Sequence, residues 1–310
     1  MNSKIKVAVC SRSFSKNPIL RKELLERYPL TTFNDAGLSL KGDSLVEFLK
    51  GHDKAITALE VINGKILEQL PELQVVSKYG VGVDMIDMAA MYTYKKYLGW
   101  TGGVNCRSVS ELVISFAIAM LRHVPAAHRE VLSGTWRQHV GSCLSGRTVG
   151  IIGCGHIGKD LTPLLKAFGC KVIVNDIRDY PDFYTAEDIN PVSLETLLEQ
   201  SDIVTIHTPL DNSTRNLLNA QRLSLLKPTA VLINAARGGL VDEVELKKML
   251  QEKRLAAAAF DVFAVEPPQD KDLLELPNFL VTPHIGGSAQ EAILAMGRAA
   301  INGLDDNKIP

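Results

Sequence analysis

The chain has 310 residues, 46% hydrophobic and 22% charged, an ordinary globular composition that excludes a disordered, collagen-like or disulfide-scaffold chain. Lys and Arg number 34 against 35 Asp and Glu, a formal charge of -1, so no bulk field draws the protein to nucleic acid or to an anionic membrane. The longest apolar run, residues 112–121, is broken by Ser115 and falls short of the roughly 20 residues that a bilayer span needs.

Strand-like and helix-like segments alternate from the start. Residues 5–10 read as a strand. Residues 18–28 read as a helix, with Asn17 as its N-cap and Pro18 at the first position. Residues 55–57 and 74–77 read as short buried strands, with helices over 63–70 and 84–91. This βαβα order predicts a mostly parallel sheet covered by helices. A long helix is expected over 108–122, where Leu112, Val113, Phe116, Ala119 and Met120 recur at helical spacing. Residues 124–145 are rich in charge, His and Gly and have no clean period beyond a helical stretch at 126–132. A linker or an oligomer contact fits them.

A second βα series follows, with strands expected at 148–152, 171–175, 203–207, 230–234, 257–262 and 279–282, then a last helix over 288–303. Two α/β units are therefore expected, meeting near Asn105 and again near Pro283. The five cysteines (Cys10, Cys106, Cys143, Cys154 and Cys170) include no CxxC pair. Reduced thiols in a cytoplasmic protein explain them best, and the N-terminus shows no signal-peptide pattern. The seven histidines contain no HExxH spacing and do not cluster with the cysteines, so no metal site is expected.

The strand at 148–152 leads directly into Gly153-Cys154-Gly155-His156-Ile157-Gly158, and a helical stretch follows. A bare GxGxxG is weak evidence. Here the next strand also ends in an acid, Asp176, 18 residues after Gly158, close to the roughly 20 of a dinucleotide-binding fingerprint. Gly153 permits the tight turn, Gly155 lets pyrophosphate approach the backbone, and Gly158 lets helix and strand pack. Amides near His156 and Ile157 would bind phosphate charge. Asp176 would accept from the adenosine ribose hydroxyls and repel a 2′-phosphate, so NAD is expected rather than NADP. Pro163 falls inside the helix and is expected to kink it.

Three polar residues follow strands of the second series: Arg237, Glu266 and His284. Ligands of open α/β sheets lie beyond the carboxyl ends of the strands. Arg can grip a carboxylate with two parallel hydrogen bonds, His can move a proton near neutral pH, and Glu beside His holds the ring. With NAD, these parts suit interconversion of a 2-hydroxy acid and a 2-keto acid, His284 exchanging the hydroxyl proton.

The surrounding words resemble the D-isomer-specific 2-hydroxyacid dehydrogenases, the family of D-lactate, glycerate, hydroxypyruvate and D-3-phosphoglycerate dehydrogenases. They are Lys78-Tyr79-Gly80-Val81-Gly82-Val83-Asp84, Gly153 to Gly158, His207-Thr208-Pro209-Leu210, Asn234 to Asp242 and Thr282 to Gly287. The resemblance implies a flavodoxin-like substrate domain (1–104, with 288–310 returning to it) and an inserted Rossmann domain (105–287), both doubly wound parallel sheets. It implies Arg237, Glu266 and His284 as the catalytic three, and substrate binding by Lys78, Tyr79 and the amides of Val81 and Gly82. His207, Thr208, Pro209, Ala235, Asp261 and Gly287 match cofactor-binding positions, Asp261 as the partner of the nicotinamide carboxamide. Homodimers through the nucleotide domains are also implied, with residues 124–145 as the dimer arm and Trp136 as its buried anchor.

The chain departs from the family at several places. Thr101-Gly102-Gly103-Val104-Asn105 replaces the usual Thr-Pro-Gly-x-Asn, which is expected to loosen a loop. Ala257 replaces a commoner Gly. Phosphoglycerate enzymes usually carry Arg where Thr57 stands, Lys78 only loosely matches their second cation, and Glu60 lies nearby. A non-phosphorylated 2-keto acid is the expected substrate, D-3-phosphoglycerate dehydrogenase proper being the alternative. Formate dehydrogenases of the same fold usually have Gln at the place of Glu266. An NAD-sensing corepressor keeps the catalytic three, but the long tails expected of a scaffold are missing here.

Overall fold

The computed structural model describes residue 2 and residues 4–310. Two compact units make up the chain, Met1–Asn105 with Ser288–Pro310, and Cys106–Gly287.

The first unit holds β1 (Lys6–Val9), β2 (Leu30–Phe33), β3 (Lys54–Thr57), β4 (Val75–Lys78) and β5 (Tyr97–Gly99) in the order β2-β1-β3-β4-β5. Every pairing is parallel. All residues of β3 and β4 except Lys54 are buried, with Ala55, Ile56, Val75 and Val76 as their apolar part, as a helix-covered parallel sheet demands. Val7, Val9 and Ile56 pack with Leu20 and Leu24 of the helix Pro18–Arg27 and with Ala300 and Ile301 of the helix Gln290–Gly303. Ala8, Ala55 and Val76 pack with Leu45, Leu49, Leu67 and Met91 on the opposite face. Asn17 caps Pro18–Arg27 as expected, its side chain accepting from the Ile19 and Leu20 amides. The Ser77 hydroxyl donates to the Ala300 carbonyl at 2.7 Å, tying the C-terminal helix to β4.

Two strands of this sheet escaped the sequence reading. β2 is an edge strand in which only Phe33 is buried, and β5 is three residues long; neither carries a recognisable alternation. The helix expected over 63–70 is only Gly64–Leu67. That expected over 84–91 begins later, as Met88–Thr93 capped by Asp87. The cause is an extended pairing: Ile62 donates to the Met85 carbonyl and accepts from the Asp87 amide, both at 2.8 Å, so residues 85–87 have no helical backbone to offer.

The second unit holds β6 (Thr148–Ile152), β7 (Lys171–Asn175), β8 (Ile203–Ile206), β9 (Val231–Asn234), β10 (Ala257–Phe260) and β11 (Phe279–Val281), all parallel, in the order β11-β10-β9-β8-β6-β7. A parallel bridge from Val174 to Pro191 extends the sheet beyond β7. It stands where a third strand completes the Rossmann order 3-2-1-4-5-6. Val113 and Phe116 of Cys106–Leu121 and Leu161 and Leu165 of His156–Ala167 cover one face; Leu197 of Leu194–Gln200 and Leu246 of Glu243–Gln251 cover the other. His156–Ala167 runs on through Pro163 as a single helix. The strand order reverses between β6 and β8, which opens a ligand crevice at their carboxyl ends. Residues 124–132 form an amphipathic helix with no buried side chain. Among the described residues no single helix is long and apolar enough to cross a membrane.

Candidate functional site

The glycine-rich turn leaves β6 at the reversal point, and each glycine is there for a different reason. Gly153 has φ +96°, and a Cβ on it would lie 2.7 Å from the His207 carbonyl. Gly158 presses its α-carbon side on the Gly153 carbonyl oxygen and on Ile151. Gly155 instead faces open space, with nothing within 4 Å of where a Cβ would stand. It is also the N-cap of His156–Ala167 and supplies no side-chain cap, so the first-turn amides, from His156 onward, await an acceptor. Open room over a glycine and uncapped amides behind it fit a pyrophosphate.

Asp176, just past β7, reaches back to the same turn. Its carboxylate accepts from the Cys154 amide at 2.6 Å and from the Arg178 amide at 2.8 Å. Burial, and then the Asp176 carboxylate, push the Cys154 thiol up to about 11, so that sulfur stays protonated and inert. Burial and Asp160 likewise raise the Cys106 thiol. At the end of β8 the His207 ring bonds the Thr205 hydroxyl through Nε2 at 2.9 Å. His207 Nδ1 and the Thr208 hydroxyl are buried with no partner. Burial lowers His207 to about 3, so the ring is neutral. Although the residue as a whole is only half-buried, its nitrogens are sheltered. These two unsatisfied polar atoms beside Gly153 are what a dinucleotide's polar edge would complete. Pro209 next to them is exposed.

Arg237, Glu266 and His284 all follow carboxyl ends of neighbouring strands, β9, β10 and β11. The buried Asn234 closes the first of these loops: its amide nitrogen donates to the Arg237 carbonyl at 2.9 Å and its oxygen accepts from the Ala236 amide at 3.2 Å. Ala235 is buried within the turn, and Arg237 Nη1 donates to the Ala236 carbonyl at 2.7 Å. Gly238 lies against the Phe263–Ala264 peptide with no room for a Cβ, which brings the Arg237 and Glu266 loops together. Glu243, raised by burial, holds the Ala264 amide at 2.9 Å from below.

Glu266 accepts the Phe263 amide at 3.1 Å with one oxygen and meets His284 Nδ1 at 2.9 Å with the other. A carboxylate only accepts, so Nδ1 carries the proton and Nε2 is left for a reacting group. His284 itself has φ +57°, a left-handed conformation that a side-chain-bearing residue adopts only when its surroundings impose it. Asp261 imposes it. This carboxylate, 1% exposed, accepts the Ile285 and Gly286 amides at 2.7 Å each and the Thr282 hydroxyl. The Asp261 carbonyl takes the His284 amide at 2.9 Å. The resemblance assigns Asp261 to the nicotinamide carboxamide; here most of its acceptor capacity is spent on the loop that carries His284 and ends at Gly287. Asn234, Glu243 and the loop-building use of Asp261 were missed in the sequence, and only Asn234, ending a strand before Ala-Ala-Arg-Gly, carried any signal.

In the first unit, β4 ends in the loop Gly80-Val81-Gly82-Val83. Gly80 has φ +125°. Among the described residues the amides of Val81 and Gly82 have no acceptor. The Trp100 indole donates to the Val81 carbonyl at 3.0 Å. Tyr79 is turned into the core, its ring edge-on to Phe14 at 5.5 Å, with burial raising its hydroxyl. Lys78 is buried, its ammonium donating to the Ala58 carbonyl, and Glu60 accepts the Ala58 amide at 2.6 Å.

Residues 114–286 match the family description "D-isomer specific 2-hydroxyacid dehydrogenase, NAD binding domain". The chain is 34% identical over 279 residues to a glycerate dehydrogenase of Methylorubrum extorquens, covering 85% of each chain. It is 37% identical over 236 residues to a D-3-phosphoglycerate dehydrogenase of Bacillus subtilis, covering 74% of this chain and 44% of that one. The solved structure of a D-2-hydroxyisocaproate dehydrogenase superposes with a TM-score of 0.85 at 25% identity, over 97% of this chain and 95% of the other. With the nucleotide turn, the partnerless polar atoms beside it and the family match in agreement, the chain belongs to the NAD-binding D-isomer specific 2-hydroxyacid dehydrogenases.

Proposed function

We propose that the protein reduces a 2-keto acid to a D-2-hydroxy acid, and reverses the reaction, with His284 as the acid–base group. The observation that carries this reading is the Glu266–His284 pair: Glu266 fixes the ring through Nδ1 at 2.9 Å and leaves Nε2 to give a proton to the carbonyl oxygen, or to take one from the hydroxyl. NADH, when bound, supplies the hydride to C2. Arg237 grips the substrate carboxylate and polarises the neighbouring carbonyl. In the first unit the amides of Val81 and Gly82, without an acceptor among the described residues, are donors to a substrate carboxylate. The first-turn amides of His156 and Ile157 hold the pyrophosphate over Gly155, and Asp176 selects NAD over NADP.

A non-phosphorylated substrate is the favoured one. Thr57 stands where phosphoglycerate enzymes carry Arg, and the Lys78 ammonium is already engaged with the Ala58 carbonyl. A charged hydrogen bond is worth roughly 1.5–3 kcal/mol, so an absent phosphate anchor costs about 10- to 100-fold. A homodimer through residues 124–145 belongs to the same reading, supported by Trp136 and Val140, 84% and 95% exposed within one chain. So does a cytoplasmic location, supported by five free cysteines.

NADH oxidation with pyruvate, hydroxypyruvate, glyoxylate, phosphohydroxypyruvate and bulkier 2-keto acids tests the assignment. Turnover of at least one is expected, with kcat/KM for hydroxypyruvate above that for phosphohydroxypyruvate. NADH binding with no turnover of any of them would overturn the proposed activity, and a strong preference for the phosphorylated acid would overturn the substrate choice.

A further inference from the structure

We propose that Trp100 is a positioning residue for the substrate carboxylate: its indole N–H holds the Val81 carbonyl and so fixes the direction in which the Gly82 amide points. This role rests on the proposed function, in which the Val81 and Gly82 amides bind that carboxylate.

The Val81 carbonyl and the Gly82 N–H belong to one planar unit, and this peptide is trans. In a trans peptide the two groups point in opposite directions. Whatever holds the oxygen on one side therefore aims the N–H to the other. The loop cannot supply this hold itself. Glycines flank Val81 on both sides, Gly80 at φ +125°, and without a Cβ at Gly82 the peptide has little steric resistance to rotation. The amides of Val81 and Gly82 have no protein acceptor among the described residues, so no ladder bond sets the orientation from the other side either.

Trp100 is placed by the sheet to do it. β4 and β5 pair in parallel with Ser77 opposite Gly99, so the chain leaves β5 at Trp100 alongside the exit of β4. The indole then crosses to the Val81 carbonyl at 3.0 Å. Indole is a donor with no acceptor, so the contact has only one polarity and selects one peptide orientation. Trp100 also opens the segment Trp100-Thr101-Gly102-Gly103, where no proline stiffens the backbone. One side chain thus ties two glycine-rich loops to each other. At 44% exposure Trp100 is not a core residue, so its hydrogen bond and its packing can be separated by substitution.

The test compares Trp100→Phe with Trp100→His. Phe keeps a ring and removes the donor. In His the atoms Cγ, Cδ2 and Nε2 overlay Cγ, Cδ1 and Nε1 of the indole, so a ring N–H returns to the same place. The quantities measured are kcat and KM for the best keto acid, the inhibition constant of oxamate, the NADH dissociation constant and Tm. In Trp100→Phe, KM and the oxamate constant are expected to rise about 10-fold, the worth of one charge-assisted hydrogen bond. kcat should stay within about twofold and NADH affinity and Tm should not move, since a positioning role here acts on carboxylate binding alone. Trp100→His should recover part of the loss. Unchanged KM and oxamate binding in Trp100→Phe would overturn the inference, as would equal losses in the His and Phe variants or a loss confined to NADH affinity and Tm. Wild-type protein that neither turns over a keto acid nor binds oxamate would overturn the proposed function itself, and this inference with it.

Discussion

Glu266 uses its two oxygens for different purposes, one to hold its own loop at Phe263 and one to hold the His284 ring. Removing the negative charge while keeping the shape, as in Glu266→Gln, should leave the loop in place and free the ring to turn. His284→Ala should cost about 10²–10⁴-fold in kcat, the usual span for a general acid or base, with NADH binding retained in a fluorescence titration. Arg237→Lys keeps the charge but loses the bidentate fork. Its kcat/KM should fall about 10²–10³-fold, and equal activity of the two proteins would remove Arg237 from the substrate site. His207 supplies a pH effect of another kind. Unfolded, its ring takes up a proton near 6.5; folded, burial lowers this to about 3. Between those values the unfolded state binds more protons, so stability falls as pH drops through this window and is insensitive to His207 above it. His207→Gln should therefore show a shallower decline of the urea midpoint from about pH 7 to about pH 5 than wild type. A parallel decline in both proteins would mean that the ring is solvated.

The turn between β6 and the helix His156–Ala167 shows what an element can announce in its sequence. Gly158 has the Gly153 carbonyl oxygen where a Cβ would stand. Backbone cannot rotate away as a side chain can, so Gly158→Ala must shift the helix start, at a cost of about 1–3 kcal/mol. NADH affinity should drop about tenfold or more by isothermal titration; an unchanged affinity would show that the turn tolerates the shift. This site was legible because glycine spacing, a flanking strand and a distant acid constrain each other along the chain. β6 and β7 were legible to the residue, being five-residue segments with apolar centres between turns. The edge strand β2 was not, since half its side chains face water and nothing in Leu-Thr-Thr-Phe demands a partner. The start of Met88–Thr93 was hidden for the opposite reason, a tertiary pairing of Ile62 with residues 85–87 that overrides local helix preference. The supporting roles of Asp261 and Asn234 were likewise invisible. A carboxylate that gathers the Ile285 and Gly286 amides across more than twenty positions of sequence leaves no periodic trace.

At the scale of the molecule, the second unit is continuous in sequence and the first is not. Ala300, Ile301 and Leu304 complete the same core as Val7, Val9 and Ile56, and Leu98 bridges to Lys308. Deleting residues 290–310 should therefore damage the first unit selectively. The expected outcome is a protein that still binds NADH but has lost keto-acid turnover and the amide-exchange protection of β1, β3 and β4; retained protection there would show that the first sheet closes without its last helix. The same arrangement sets a timetable for synthesis. A ribosome adds about 5–20 residues per second. Once β5 has been made, about 200 more residues must follow before the helix that covers this face exists, a delay of about 10–40 s at that rate. Throughout it, part of the first sheet's apolar face is bare while the whole second unit is being translated and can fold. Slow translation of the central segment would prolong that exposure, so the soluble yield of the protein should depend on elongation speed through a region that contributes nothing to the vulnerable surface.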